Sequence, residues 1–335
     1  MQSIRERANV TPRIFHEEIL PAAEPVVLRG LASAWPVVDA ARRSPEALRD
    51  YLKRFDRGAA APTILGPPGI NGRFFYNQDL SGFNFQTGSA RVGASLDYLI
   101  DHKDDAQPSS FAIQSLPARG ALPGFEADNP MPLLNNQVEP RLWIGNRVTI
   151  AAHHDNFENI ACVAAGRRRF TLFAPQQVAN LYIGPFELTP AGATISMVDF
   201  DAPDFERFPA FAQALEAAVF ADLEPGDAIF IPYMWWHHVR SLEPVNMLVN
   251  YWWMSEAETR GPARDAFLHA LLAIRSLPAP HREAWRALFD HYVFQTGGPA
   301  GEHLPAAKRG VLGEPDAQLQ KGLRANLVRN LSRQG

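Results

Sequence analysis

The sequence predicts a mainly β domain, a barrel or sandwich of short strands with helices around it, followed by a helical extension. Three observations predict this. Short apolar runs recur between residues 140 and 255 at the spacing of strands joined by turns. The 28 prolines are scattered, which suits many strands separated by breakers. After Met254 the pattern changes to helical periodicity rich in Ala, Leu and Arg.

Taken in order, residues 15–60 combine a short helical pattern with the strand Pro25–Gly30. Ser44 stands before Pro45 and a helix-spaced run to Leu52, so a capped helix starts there. Residues 60–150 read as short strands: Thr63–Leu65, Gly72–Tyr76 and Phe111–Gln114, with a short helix from Ser95 to His102. The β-rich heart follows. It comprises Leu142–Gly145, Val148–Ala151, Ile160–Val163, Arg169–Phe173, Ala228–Ile231 and Met247–Trp252, with a turn at Gly166. Three helices are expected last, over Pro262–Ser276, Pro280–Tyr292 and Pro315–Ser332. The division is therefore 1–258, with its core at 140–255, and a helical region at 259–335. The apolar face of those helices must be covered, either by the parent core or by a second copy.

Composition narrows the function. The 335 residues carry a net charge of −4, and Arg167-Arg168-Arg169 is the one dense basic cluster, so no nucleic-acid partner is expected. The lone cysteine, Cys162, lies in an apolar run and reads as inert core. The N-terminus lacks the apolar core of a secretory signal. No stretch approaches the ~18 apolar residues of a membrane span. A cytoplasmic protein is expected, with no membrane partner.

The chemistry lies in two segments. Residues i and i+2 of a strand share a face, so His153-His154-Asp155 offers His153 and Asp155 to one point and turns His154 away. Trp235-Trp236-His237-His238 supplies a further histidine, His237. It is reached through Glu224-Pro225-Gly226-Asp227, whose Pro-Gly fits the centre of a type II turn. Singly, either histidine reads as a satisfied core residue and Asp155 as a turn cap. Jointly they make two imidazoles and a carboxylate on one side of a metal, the facial triad of non-haem Fe(II) oxygenases. A keto acid chelates through two of the open positions, and dioxygen takes the third. A zinc hydrolase or isomerase uses similar ligands. A keto acid also needs a cation for its far carboxylate, and Arg168, after the Gly166 turn, offers a bidentate fork. Arg167 and Arg169 read as solvated. Asn159 and Asn250 are polar positions in apolar strands; they either contact the ligand or satisfy buried backbone. Trp252 reads as a pocket wall or a core aromatic.

The blocks HHDNFENIACVAAGRRRFTLFAP, VDFDAPDFERFPAF and EPGDAIFIPYMWWHHV resemble the JmjC-type, cupin-like 2-oxoglutarate oxygenases, and among them the asparaginyl hydroxylases. PVVLRGLASAWPVV is similar to the family's opening strand. The resemblance implies a double-stranded β-helix, or jelly roll, with Fe(II) held by His153, Asp155 and His237 and with 2-oxoglutarate as cosubstrate. It matches Arg168, a lysine in those hydroxylases, to the residue binding the distal carboxylate. It matches Asn159 and Asn250 to asparagines near the cosubstrate. Thr149 lies one residue further from His153 than the family's cosubstrate-binding threonine. Phe111 stands where those hydroxylases carry a cosubstrate-binding tyrosine. The implied reaction is hydroxylation of a protein side chain or a small molecule. The implied assembly is a homodimer through the C-terminal helices. The departures at Phe111 and Arg168 feed one alternative, a non-catalytic cupin-like protein that holds a ligand or partner.

Overall fold

The computed structural model describes residues 1–190, 192–254 and 262–333. The chain divides into two units, Met1–Trp253 and Met254–Gly335. The expected boundary at 258/259 lies outside the described residues.

Among the described residues the first unit is built on fifteen strands: β1 Gln2–Ser3, β2 Arg5–Ala8, β3 Val26–Arg29, β4 Ala60–Gly66, β5 Arg73–Phe74, β6 Gln86–Arg91, β7 Ser110–Pro117, β8 Pro140–Gly145, β9 Thr149–His153, β10 Glu158–Ala165, β11 Arg168–Phe173, β12 Val219–Leu223, β13 Ala228–Ile231, β14 Trp236–Ser241 and β15 Asn246–Trp253. They form two sheets. One has six strands in the order β1-β12-β11-β14-β9-β5, and the other nine in the order β2-β3-β13-β10-β15-β8-β7-β4-β6. Val163, Ile229 and Leu248 of the large sheet interlock with Phe170, Leu172 and Val239 of the small one in a single buried cluster. The sheets thus face each other as in a jelly roll, mainly antiparallel, and no pairing among the described residues closes them into one barrel.

The outer face of the large sheet is covered as well. Cys162, Ala164, Phe230, Val249 and Tyr251 pack there against Val37 and Val38 of the helix Pro36–Arg43 and Leu48 and Leu52 of Pro45–Lys53. Covering on both faces explains why β10, β13 and β15 are continuous apolar runs without alternation. The helix at Pro45 starts as its sequence predicts, with Ser44 Oγ accepting from the Ala47 N–H at 3.1 Å.

Two glycine turns aim the strands that carry the site. In the 224–227 turn Gly226 has φ +105°, and the Asp227 N–H donates to the Glu224 carbonyl at 3.0 Å. The Asp227 carboxylate accepts from the Gly30 N–H at 3.0 Å and from Arg29 at 2.6 Å, fastening this turn to β3. Gly166, at φ +68°, turns β10 into β11 two residues before Arg168. A Cβ there would stand 2.8 Å from the Val245 carbonyl oxygen. Gly166→Ala is therefore expected to cost roughly 1–3 kcal/mol through the left-handed backbone alone, and more through the clash. Thermal unfolding checks this; a melting temperature equal to the parent's would refute it.

The second unit holds the helices Ala263–Ala273, Ala279–Tyr292 and Ala317–Leu331, close to the predicted spans. None of the three carries a buried residue. Leu323, Leu327 and Leu331 lie four residues apart on the last helix, and all are exposed. Among the described residues no helix is long and apolar enough to cross a membrane.

Candidate metal centre

The site lies between the sheets. β9 and β14 are neighbours, and His153 and His237 stand opposite one another in their ladder. Strand pairing alone brings the two rings to 4.2 Å between centroids. β9 ends at His153, so Asp155 is not a strand residue as the i, i+2 reading supposed. Its loop is held instead by the segment leading into His237. The Met234 N–H donates to the Asp155 carbonyl at 3.2 Å, with Met234 in the left-handed region at φ +64°. One ligand atom from each of His153, Asp155 and His237 lies within 4.8 Å of the other two.

The second ring nitrogens settle what the histidines present. His153 Nδ1 meets the Ala151 carbonyl at 2.9 Å, and His237 Nδ1 meets the Trp235 carbonyl at 3.0 Å. A carbonyl only accepts, so each Nδ1 carries the proton and each Nε2 offers a lone pair. Burial, and then His153, push His237 well below the usual histidine range, so it is neutral at pH 7. Asp155 Oδ2 is buried, accepts no hydrogen bond and stands 3.5 Å from His237 Nε2. Two imidazole lone pairs and an orphaned carboxylate oxygen around one point fit a divalent cation.

His154 and His238 turn away from this point. His154 packs edge-on against Trp236, and His238 stacks on Phe200 at 4.3 Å. Burial pushes both below the ordinary histidine range.

The cavity beside the triad is lined by Arg168, Asn159, Asn250 and Trp252, all singled out from the sequence. Arg168 is 6% exposed, and its buried Nε has no hydrogen-bond partner. Desolvation lowers it to about 10, so it remains a cation at neutral pH. Its neighbours behave as solvated residues: Arg167 pairs with Glu243 at 2.6 Å and Arg169 with Asp222 at 2.6 Å. The Trp252 indole N–H is also buried without a partner. The cavity thus offers donors and a positive charge, which suits a carboxylate.

Two expected residues do not line the cavity. Between His153 and Ile150 the pairing with β14 shifts by one residue, a bulge over Ala151 and Ala152. The bulge reverses the alternation, so Ile150 lines the cavity and Thr149 does not. Phe111 packs on Tyr98 at 4.9 Å in the outer core. Strand β7 alternates, and the cavity receives Gln114 from it instead. Gln114, Ile150 and Trp143 were not singled out from the sequence. Only the polar Asn250 hinted at Trp143, because a buried amide needs a partner: Trp143 Nε1 donates to its Oδ1 at 2.8 Å.

Comparison with known proteins places this geometry. HSPB1-associated protein 1 of Bos taurus is 33% identical over 156 residues, 45% of this chain and 31% of the relative. Lysine-specific demethylase 8 of Danio rerio is 28% identical over 247 residues, 71% of this chain and 55% of the relative. Jumonji C domain-containing protein 5 of Drosophila melanogaster is 28% identical over 248 residues, 71% of this chain and 57% of the relative. The chain thus spans about a third of the HSPB1-associated protein and little more than half of the other two. The model of the cupin-like domain matches residues 12–259, which include every strand from β3 to β15 and the whole triad. With that match, the facing sheets and the His-Asp-His cluster, the chain belongs to the cupin-like domain family.

Proposed function

We propose that this chain is an Fe(II)- and 2-oxoglutarate-dependent oxygenase that hydroxylates a protein side chain or a small molecule. One observation carries the reading: a triad of His153, Asp155 and His237 shares a cavity with a buried arginine whose Nε has no hydrogen-bond partner. Fe(II), 2-oxoglutarate and dioxygen together supply the oxidation of an unactivated C–H bond. The chain's own residues bind, orient and shield. The Nε2 atoms and the Asp155 carboxylate hold the metal on one side. Arg168 holds the distal carboxylate of the cosubstrate, with Asn159, Asn250 and Trp252 on the neighbouring wall. Ile150, Ile195, Val239 and Leu248 keep the remainder apolar and dry. Anaerobic mixing of protein, Fe(II) and 2-oxoglutarate is expected to produce a weak visible charge-transfer band. Absence of that band, with metal bound, would remove the cosubstrate from the reading.

Two relatives are named lysine-specific demethylase 8, and demethylation uses the same C–H oxidation. Asp155 is the one carboxylate among the described cavity residues, and the triad claims it. A methylammonium group therefore has no counter-ion there, which favours a neutral side chain as substrate. The outward Phe111 and the Ile150 methyls favour one alternative, a non-catalytic binding protein, because both withhold a hydroxyl from the cosubstrate. Failure to bind 2-oxoglutarate with Fe(II) present would select it.

We also propose a homodimer through the second unit, supported by the exposed Leu323, Leu327 and Leu331 stripe. Light scattering is expected to give twice the chain mass, and Leu327→Glu to return it to the monomer mass. A monomeric parent chain would overturn this. A reducing, cytoplasmic setting suits a protein that works with ferrous iron and whose one thiol is buried.

A further inference from the structure

We propose that Trp143 is a positioning residue for the cosubstrate: its indole N–H sets the direction of a hydrogen-bond chain through Asn250, so that Asn159 turns its NH₂ into the cavity. The inference rests on the 2-oxoglutarate reading above.

The three residues come from adjacent strands, β8, β15 and β10, of the large sheet. All three line the cavity. Trp143 Nε1 donates to Asn250 Oδ1 at 2.8 Å, and Asn250 Nδ2 reaches Asn159 Oδ1 at 3.4 Å. An amide has two ends that differ little in shape, so an asparagine pair has no inherent direction. An indole does have one, because it donates and never accepts. Asn250 must therefore face Trp143 with its oxygen, and its NH₂ must face Asn159. That NH₂ engages the Asn159 oxygen, which leaves the Asn159 NH₂ as the group offered to a ligand. Both asparagines are buried, at 5% and 2% exposure, so solvent does not repair a reversed amide.

The consequence is a matched pair of walls. Arg168 projects donors from the small sheet, and Asn159 projects donors from the large one. An anionic ligand between them meets N–H groups on both sides. If the chain ran the other way, the Asn159 oxygen would face the anion and repel it. Trp143 also meets Trp252 edge-on at 5.8 Å, a contact a phenyl ring retains in part.

The test is Trp143→Phe, which deletes the N–H and keeps an aromatic ring. Calorimetric titration of 2-oxoglutarate into protein loaded with Mn(II), a stand-in that does not turn over, reads binding without activity. Trp143→Phe is expected to weaken 2-oxoglutarate by about tenfold, with Mn(II) affinity before 2-oxoglutarate unchanged within twofold. The decisive arm is a double-mutant cycle with Asn159→Ala. If Trp143 acts through Asn159, Trp143→Phe loses its effect in the Asn159→Ala background. Equal 2-oxoglutarate affinity in Trp143→Phe and the parent overturns the inference, and so does an undiminished effect in the double variant. A parent chain that takes Mn(II) but not 2-oxoglutarate overturns the cosubstrate reading, and this inference with it.

Discussion

His153→Ala and Asp155→Ala are each expected to reduce succinate release from 2-oxoglutarate to the iron-free background. Losing a residue that merely orients a metal ligand typically weakens a metal site 10–100-fold, so losing a ligand should weaken Fe(II) by more than ~100-fold. Neither change should unfold the domain. The His153 backbone pairs with His237 across the ladder whatever its side chain. Asp155 Oδ2 is buried without a hydrogen bond, so the apo protein loses little with it. The expected signature is lost metal and lost turnover at an undiminished melting temperature. Metal analysis, a succinate assay and thermal unfolding of the same preparations supply it. Either variant keeping full iron-dependent turnover would show that the triad is not the centre. Activity restored by zinc without oxygen would point to hydrolysis.

Arg168→Met is expected to separate function from stability. A carboxylate held by two charge-assisted hydrogen bonds loses both, so half-saturation by 2-oxoglutarate should rise by about 100-fold or more. Arg168→Lys keeps the charge but not the fork, and about tenfold is expected. The apo protein should move the opposite way. Burial lowers the guanidinium to about 10, so the folded state pays to hold it charged at every pH below that value, and deleting it removes the cost at pH 7. A gain of about 1 kcal/mol raises the melting temperature of a domain this size by ~2–4 °C. Saturation kinetics and calorimetry of the apo protein measure both halves. A lower melting temperature, or an unchanged half-saturation, would contradict the assignment of Arg168 to the cosubstrate.

Strand and helix positions were legible because they depend on local pattern. The runs at Leu142, Ile160, Ala228 and Met247 became β8, β10, β13 and β15, and Ser44-Pro45 opened its helix. The family and the triad were legible because the histidines and Asp155 stand in short motifs, and the turn that precedes the second motif by one strand has strict backbone demands, with Gly226 at φ +105°. What escaped the sequence was which way side chains face once regularity fails. Asp155 converges on the histidines from a loop, through the Met234 N–H, and no strand rule foretells that. Phe111 and Gln114 occupy one strand, and only the covered outer face explains why the ring turns outward. Trp143 was invisible as a partner because its contact with Asn250 joins positions 107 residues apart.

The extra residue between Ile150 and His153 works as a shim in β9. Strict alternation would send Thr149, Ala151 and His153 to one face; the bulge keeps Ala151 and His153 on the cavity and brings Ile150 there in place of Thr149. The wall three residues before the first ligand is therefore a hydrocarbon. A hydroxyl reaches that place only by replacing Ile150, because no rotation of the Thr149 side chain carries it through the sheet.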